Sequence, residues 1–254
     1  MRLAIMQPYF FPYIGYYQAI QAVDKYILYD NLNFIKDAWI NRNRYLSKQG
    51  EIKYFNVPLK GKSSFKKIAD IEIIENKSWR RKTLNSFYLN YKKTKYFEEV
   101  YSLIETVINY PTNKISELNF QSIKTVCNYL DIETIITRNS KDHQYLEKKL
   151  ESYSLGIEEY SYAKVTELDI KTIRVLEICR MEGAKVFINA IGGLNLYSKE
   201  TFLSHGLDLK FIKTKNIEYN QFTQNFAPNL SIIDVMMFNS VAEVKLLLTK
   251  YELI

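Results

Sequence analysis

The sequence predicts an α/β fold with a mainly parallel sheet, and three observations carry that prediction. Leu3–Met6 is an apolar run of strand length that stops at Gln7-Pro8, where proline cannot donate to a sheet ladder. Ile14, Tyr17, Ala19, Ile20 and Val23 then recur at helical spacing, and a second apolar run, Tyr26–Tyr29, closes on Asp30. A similar order of strand, glycine-bearing turn, helix and strand returns between Ala184 and Ile212. In open parallel sheets ligands bind outside the carboxyl ends of the strands, which here are the Gln7 to Tyr13 stretch and the chain from Asp30 onward.

Taken in order, the segment after Asp30 is polar and crowds Asn41, Arg42, Asn43 and Arg44 behind Trp39 and Ile40. Guanidinium forks and amides beside a strand end suit phosphate, carboxylate or sugar hydroxyls, and a solvated loop is the plainer alternative. Lys53–Leu59 and Ile68–Ile74 read as a hairpin around the lysine-rich loop Lys60–Lys67, which could clasp an anion. Lys60-Gly61-Lys62-Ser63 lacks the upstream glycine and the strand-to-helix setting of a phosphate loop. From Trp79 to Leu130 the pattern is helical, most clearly at Phe97, Val100, Tyr101, Ile104, Val107 and Ile108, and Ile132–Thr137 reads as a strand. Asn139–Lys164 has little periodicity and reads as a lid or insertion.

Gly183 can close a helix through Ile173, Leu176 and Cys179, and Ala184–Asn189 is a strand followed by Gly192-Gly193. Ser198–Ser204 reads as a helix closed by Gly206, and Leu207–Ile212 as a strand. Asn229–Phe238 begins a helix in which Asp234 must be hydrogen-bonded or paired if buried. Ser240 and Glu243 form a capping box for a last helix running through Tyr251. The expected architecture is a Rossmann-like sheet of βαβ-type units with a β-hairpin and a helical insertion, in a single domain over 1–254. A helical subdomain over 77–165 is a further division the pattern allows.

The formal charge of +7 is spread along the chain and favours a polyanionic or phosphorylated ligand. No zinc-finger spacing, RNA-binding signature or basic arm points to nucleic acid. Cys127 and Cys179 stand alone in predicted helices, as buried thiols of a reducing compartment do. No apolar run reaches the ~18 residues of a membrane span, and no signal-peptide plan opens the chain. The expectation is a cytoplasmic protein without membrane insertion, and a homodimer is compatible with it. The 21 Tyr and 14 Phe fit either AT-rich coding composition or aromatic stacking.

His143 and His205 lie in neither a triad nor a metal pattern, so no metal is expected. With no GxGxxG and no full phosphate loop, nicotinamide and P-loop readings fail. The candidate acid/base groups are Asp30, Asp37, Asp234, Tyr9 and Tyr219.

Five phrases, MQPYFFPYIGYYQAI (Met6–Ile20), AWINRNR (Ala38–Arg44), INAIGGLNLYSKETF (Ile188–Phe202), GLDLKFI (Gly206–Ile212) and NLSIIDVMMFN (Asn229–Asn239), together resemble the WbqC-like protein family. The resemblance implies a place in O-antigen or other surface-polysaccharide synthesis, and some members are described as glycine or aminoacyl transferases. It implies an enzyme acting on a nucleotide-linked amino sugar, with an acyl or aminoacyl donor or ATP as co-reactant. Many relatives have His-Gln-Pro where this chain has Met6-Gln7-Pro8, so a mechanism through that histidine is in doubt here.

The family pattern brings Gln7, Pro8, Pro12, Gly15, Tyr16, Asp30, Trp39, Asn41, Arg42, Asn43, Arg44, Gly192, Gly193, Tyr197, Tyr219, Gln221, Ser231, Asp234 and Asn239 into the candidate site. Asn189 to Tyr197 would form the wall opposite Gln7-Pro8-Tyr9, with Asp30, Asp234 and Tyr16 as candidate catalytic groups. Phe11-Pro12 to Gly15-Tyr16 also looks like the FxPxxxGH segment of HxGH nucleotidyltransferases, one residue shorter and with Tyr16 in place of the histidine. That likeness implies carboxylate activation as an adenylate. A non-catalytic binder of nucleotide sugar or of a partner protein in the same pathway is the alternative from another class.

Overall fold

The computed structural model describes residues 1–75, 77–154 and 168–254. Strand β1 (Arg2–Met6) is followed by helix α1 (Ile14–Gln21) and β2 (Lys25–Leu28). An excursion then leaves the sheet, with β3 (Arg42–Leu46), β4 (Ile52–Asn56), β5 (Leu59–Lys60), β6 (Glu72–Ile73), α2 (Lys77–Tyr91), α3 (Phe97–Ile108) and α4 (Ile115–Tyr129). The chain returns as β7 (Ile135–Arg138), α5 (Asn139–Asp142), α6 (Gln144–Ser154) and α7 (Ile170–Met181), then β8 (Val186–Ala190), α8 (Lys199–Ser204) and β9 (Asp208–Thr214). Helices α9 (Ile232–Phe238) and α10 (Val241–Leu248) precede β10 (Tyr251–Leu253).

Six strands form the central sheet in the order β10-β9-β8-β1-β2-β7. All neighbours run parallel except β10, which pairs antiparallel with β9. Counted along the chain within this sheet, the order is 3-2-1-4-5-6, that of a doubly wound dinucleotide-type fold, and its direction of winding reverses between β1 and β8. Alternate residues feed two cores, because successive side chains of a strand point to opposite faces. Ala4, Tyr26, Leu28, Ile188 and Ile212 join the core with α1, α3, α4, α9 and α10. Leu3, Ile5, Ile27, Phe187, Leu209 and Phe211 join the other with α6, α7 and α8. The central strands therefore read as unbroken apolar runs, since both faces are covered.

Helix α1 is buried from Ile14 through Ile20, Gln18 included. The Gln18 amide donates to Leu247 O and Lys250 O at 3.0 Å each and accepts from Thr214 Oγ1 at 2.8 Å. It thereby ties the first helix to the end of α10 and to β9. Ser240 and Glu243 form the expected capping box of α10, and Gly183 and Gly206 take positive φ after α7 and α8.

Three local readings are corrected. The predicted hairpin partners do not pair with each other along their length. Pro58 interrupts the first run, so β4 pairs with β3 and only the two-residue β5 meets β6, while Ile68–Asp70 is a 3₁₀ turn. Of the polar run Asn41–Arg44, for which a solvated loop is the plainer alternative, Arg42–Arg44 lie in strand β3. Tyr251 opens β10 and does not continue the last helix. Of the expected insertion Asn139–Lys164, α5 and α6 are helical and 155–164 lie outside the described residues, as does the end of the expected 77–165 subdomain. No helix among the described residues is long and apolar enough to cross a membrane.

Gln18→Leu removes the side chain that donates to Leu247 O and Lys250 O and accepts from Thr214 Oγ1, and it leaves the Thr214 hydroxyl without its acceptor. It should cost about 2–4 kcal/mol, measured as a lowered urea midpoint with an unchanged slope.

Candidate functional site

The Gln7–Tyr13 loop follows β1 at the point where the winding of the sheet reverses. It contains two prolines and Phe11 at φ 42°, a left-handed conformation uncommon outside glycine, so it cannot satisfy its own backbone. Donors come from elsewhere. Tyr16 Oη donates to Gln7 O (2.8 Å), and Asn119 Nδ2 of α4 donates to Pro8 O (2.9 Å) and Ile40 O (2.8 Å). Asn43 Nδ2 of β3 donates to Phe10 O (3.1 Å) and Phe11 O (2.7 Å), and Ser231 Oγ donates to Phe11 O (2.8 Å). Ile232 N donates to Pro12 O (2.9 Å). Pro8 is buried, while Gln7 and Tyr9 remain partly exposed, and burial raises the Tyr9 hydroxyl above its ordinary range.

The facing strand is β8. Its ladder with β1 is formed at Arg2↔Val186 and Leu3↔Phe187, whereas β1 stays paired with β2 as far as Met6↔Leu28 and β8 with β9 as far as Ala190↔Ile212. Recorded pairing between β1 and β8 thus stops before either strand ends, and the strands lead to Gln7 on one side and Ile191–Gly193 on the other. Asn189 Oδ1 takes the N–H of Ala190 (2.9 Å). The two glycines differ. A Cβ on Gly193 would sit 2.2 Å from Asn189 Nδ2, whereas one on Gly192 would meet nothing within 4 Å. Gly15 is close-packed in the same way as Gly193, since its Cβ would lie 2.4 Å from the Tyr13 ring. Tyr197 packs edge-on against Phe187 and Phe202, and burial raises its hydroxyl.

Beside Phe10, β3 and β4 carry a cation–aromatic surface. Trp39 and Tyr54 stack at 6.4 Å with a 9° interplanar angle. Arg42 lies 5.9 Å from the Trp39 ring and 5.6 Å from that of Tyr54, and Arg44 lies 5.7 Å from Trp39. Asn41, Arg42, Lys36 and Lys62 line a cavity of about 620 Å³ whose one acidic residue is Asp37. Arg42 also donates to Asp37 O, and its Nε is buried without a partner among the described residues.

The two candidate carboxylates are both fully buried. Asp30, just beyond β2, accepts from Ser116 Oγ, Ser140 N (2.8 Å) and Ser140 Oγ (2.7 Å), which suits a positioning role. Asp234 accepts from Tyr91 Oη (2.6 Å) and Tyr219 Oη (2.7 Å), with Gln221 Nε2 at 3.5 Å. Burial raises its carboxyl above the ordinary 3.8, although these hydrogen bonds oppose the shift. Tyr219 lines a second cavity, of about 390 Å³, so Asp234 faces that space through a phenol.

A family model described as the WbqC-like protein family matches residues 7–246. The chain belongs to the WbqC-like family. An uncharacterized protein from Mycobacterium tuberculosis (strain ATCC 25618 / H37Rv), Rv1507c, is 24% identical over 244 residues, covering 95% of each chain. No solved structure matches.

In this WbqC-like fold the sequence candidates fall into four groups. Gln7, Pro8, Tyr9, Asp30, Asn189, Gly192, Gly193 and Tyr197 lie at or beyond the carboxyl ends of β1, β2 and β8. Trp39, Asn41, Arg42 and Arg44 form the hairpin surface, and Tyr219, Gln221 and Asp234 form the buried network. Tyr16, Asn43 and Ser231 brace the loop from behind. Asn119, Tyr91 and Lys36 also belong to these groups, and no motif in the sequence marks them. The only sequence signal for Asn119 is a polar residue beside the apolar stripe Leu118, Ile123 and Val126.

The raised Asp234 carboxyl gives a signed pH dependence. A folded-state pKa above the unfolded one means stability that is complete below the unfolded value and lost as pH rises through the folded one. Wild type should therefore lose stability relative to Asp234→Asn as pH climbs from about 4 towards neutrality, and the difference should level off at lower pH. Paired urea titrations across that range check it, and a pH-independent difference would contradict it.

Proposed function

We propose that this WbqC-like protein is an enzyme that transfers an acyl or aminoacyl group to the amine of a nucleotide-linked amino sugar. The observation that carries the reading is the reversal of the sheet order between β1 and β8, with Gln7 beyond one strand and the unobstructed Gly192 beyond the other. A glycine without neighbours lets the backbone approach a phosphate or acyl donor closely. The cavity lined by Lys36, Arg42 and Lys62 supplies positive charge for an anionic group, and Trp39 with Tyr54 offers aromatic faces.

In the proposed reaction the neutral amine attacks an activated acyl carbon, a C–N bond forms, the bond to the leaving group breaks, and the nitrogen gives up a proton. Tyr219 is the group we assign to take that proton while passing its own to Asp234, to which it is already hydrogen-bonded. Asp30 holds the end of β2 in place through Ser116 and Ser140. The donor is either a ready-made thioester or an adenylate formed with ATP. A second reading, a non-catalytic nucleotide-sugar binder, draws support from the fact that both candidate carboxylates are fully buried and accept hydrogen bonds from protein donors.

The test is a panel of nucleotide-linked amino sugars incubated with acyl-CoA, or with ATP and amino or carboxylic acids, with the amide product read by mass spectrometry. At least one pair should give product. Gly192→Val should retain the wild-type melting temperature yet lose about tenfold or more in turnover, because a Cβ there meets no protein atom within 4 Å and the side chain would occupy space that this reading gives to the ligand. Saturable nucleotide-sugar binding with no amide from any pair would establish the binder. Absence of both binding and product would overturn both readings.

A further inference from the structure

A separate groove of about 1000 Å³ lies in the helical excursion, lined by parts of α2, α3 and the α3–α4 connection. It shares no lining residue with the two cavities described above. Its walls are polar and aromatic. Asn85, Asn109 and Asn113 are exposed, and no hydrogen bond of their side chains is recorded among the described residues. Each presents a free amide, one donor face and one acceptor face in a plane, which matches the paired hydroxyls of a sugar ring. Tyr88 is 43% exposed and is held in orientation by edge contacts with Phe97 (5.8 Å) and Tyr101 (6.1 Å). The Lys92 ammonium lies 5.2 Å from the Tyr88 ring centroid, so it shares the aromatic surface on which the C–H face of a pyranose would stack.

The two arginines of the groove are not equivalent. Arg80 is immobilised: it lies 4.8 Å from the Trp79 ring, donates to Ile108 O and to Tyr110 O (3.3 Å), and sits 3.6 Å from Glu75. It stiffens the wall. Arg81 is exposed and makes no ion pair among the described residues, so its guanidinium is available to an external anion.

We propose that this groove binds a saccharide unit bearing an acidic substituent, with Tyr88 under the ring, the three asparagines on its hydroxyls and Arg81 on the acid. The site is distinct from the strand ends at Gln7 and Gly192 and does not depend on the transferase reading.

Isothermal titration of the full chain with trigalacturonate, and with its methyl ester as the uncharged counterpart, tests the proposal. Wild type should bind the acid saturably and the ester about tenfold more weakly. Arg81→Ala should bring the acid down to the level of the ester. Tyr88→Ala should weaken both ligands by about tenfold. Asn109→Asp, an exposed and nearly isosteric change at the C-cap of α3, should weaken the acid by like-charge repulsion while lowering the melting temperature by no more than a few degrees. No binding of trigalacturonate by wild type, unchanged binding in Tyr88→Ala and Asn109→Asp, or equal affinity for acid and ester would overturn it. Gly192→Val should leave this binding intact, so failure here and failure of the transferase reading are separable.

Discussion

The structure depends on the need of one loop for borrowed hydrogen bonds. The carbonyls from Gln7 to Pro12, Tyr9 aside, accept from Tyr16, Asn119, Asn43, Ser231 and Ile232, residues of α1, α4, β3 and the start of α9. Each buried carbonyl left without a donor costs about 1–3 kcal/mol, so the loop is ordered only when all these elements are in place. The excursion between β2 and β7 is therefore no appendage. By supplying Asn43 and Asn119 it sets the shape of the backbone that follows β1. Phe11 keeps its left-handed backbone because two side-chain donors converge on its carbonyl.

This explains why some of the fold was legible in the sequence and some was not. The strand Leu3–Met6, its arrest at Pro8, the glycine pair after the second unit and the Ser240–Glu243 cap are local signals, carried by residues a few positions apart. The bracing role of Asn43 is not local, since the carbonyls its Nδ2 donates to are more than thirty residues away and those of Asn119 up to 111. The polar run Asn41–Arg44 hides a strand because β3 and β4 make a two-stranded ribbon beside the main sheet, with the arginines partly exposed on aromatic rings. No alternation of apolar residues announces such a strand. Gly192 and Gly193 look identical in sequence, and only the position of Asn189 separates a glycine needed for packing from one with open space.

The two buried aspartates show the same limit in chemistry. Sequence offers both as acid/base candidates on equal terms. Asp30 is met by hydroxyl and backbone donors that open α4 and α5. Asp234 is met by two phenols and an amide, and one of those phenols faces a cavity. Burial raises the Asp234 carboxyl above its ordinary value even though the phenols and the amide all donate to it. Place in the chain says nothing of this network, because the phenols that complete it, Tyr91 and Tyr219, lie 143 and 15 residues away.

The abundance of tyrosine takes on a physical sense from these contacts, whatever its origin in coding composition. Phenylalanine would fill the core as well as Tyr16 or Tyr91 does, since the apolar bodies are nearly the same. It would leave Gln7 O and Asp234 without the donors they now have. At these positions the hydroxyl sets the geometry of the site while the ring packs against its neighbours, and Tyr219 joins the same network from the cavity side. Tyr17 is the contrast: it is fully buried in the same helix as Tyr16, and its hydroxyl has no hydrogen-bond partner among the described residues. The polar handle is thus used where the chain approaches the strand-end loop and the Asp234 network. The tyrosines that matter to the site are those whose hydroxyls reach a backbone carbonyl or a carboxylate, and neither their number nor their spacing in the sequence identifies them.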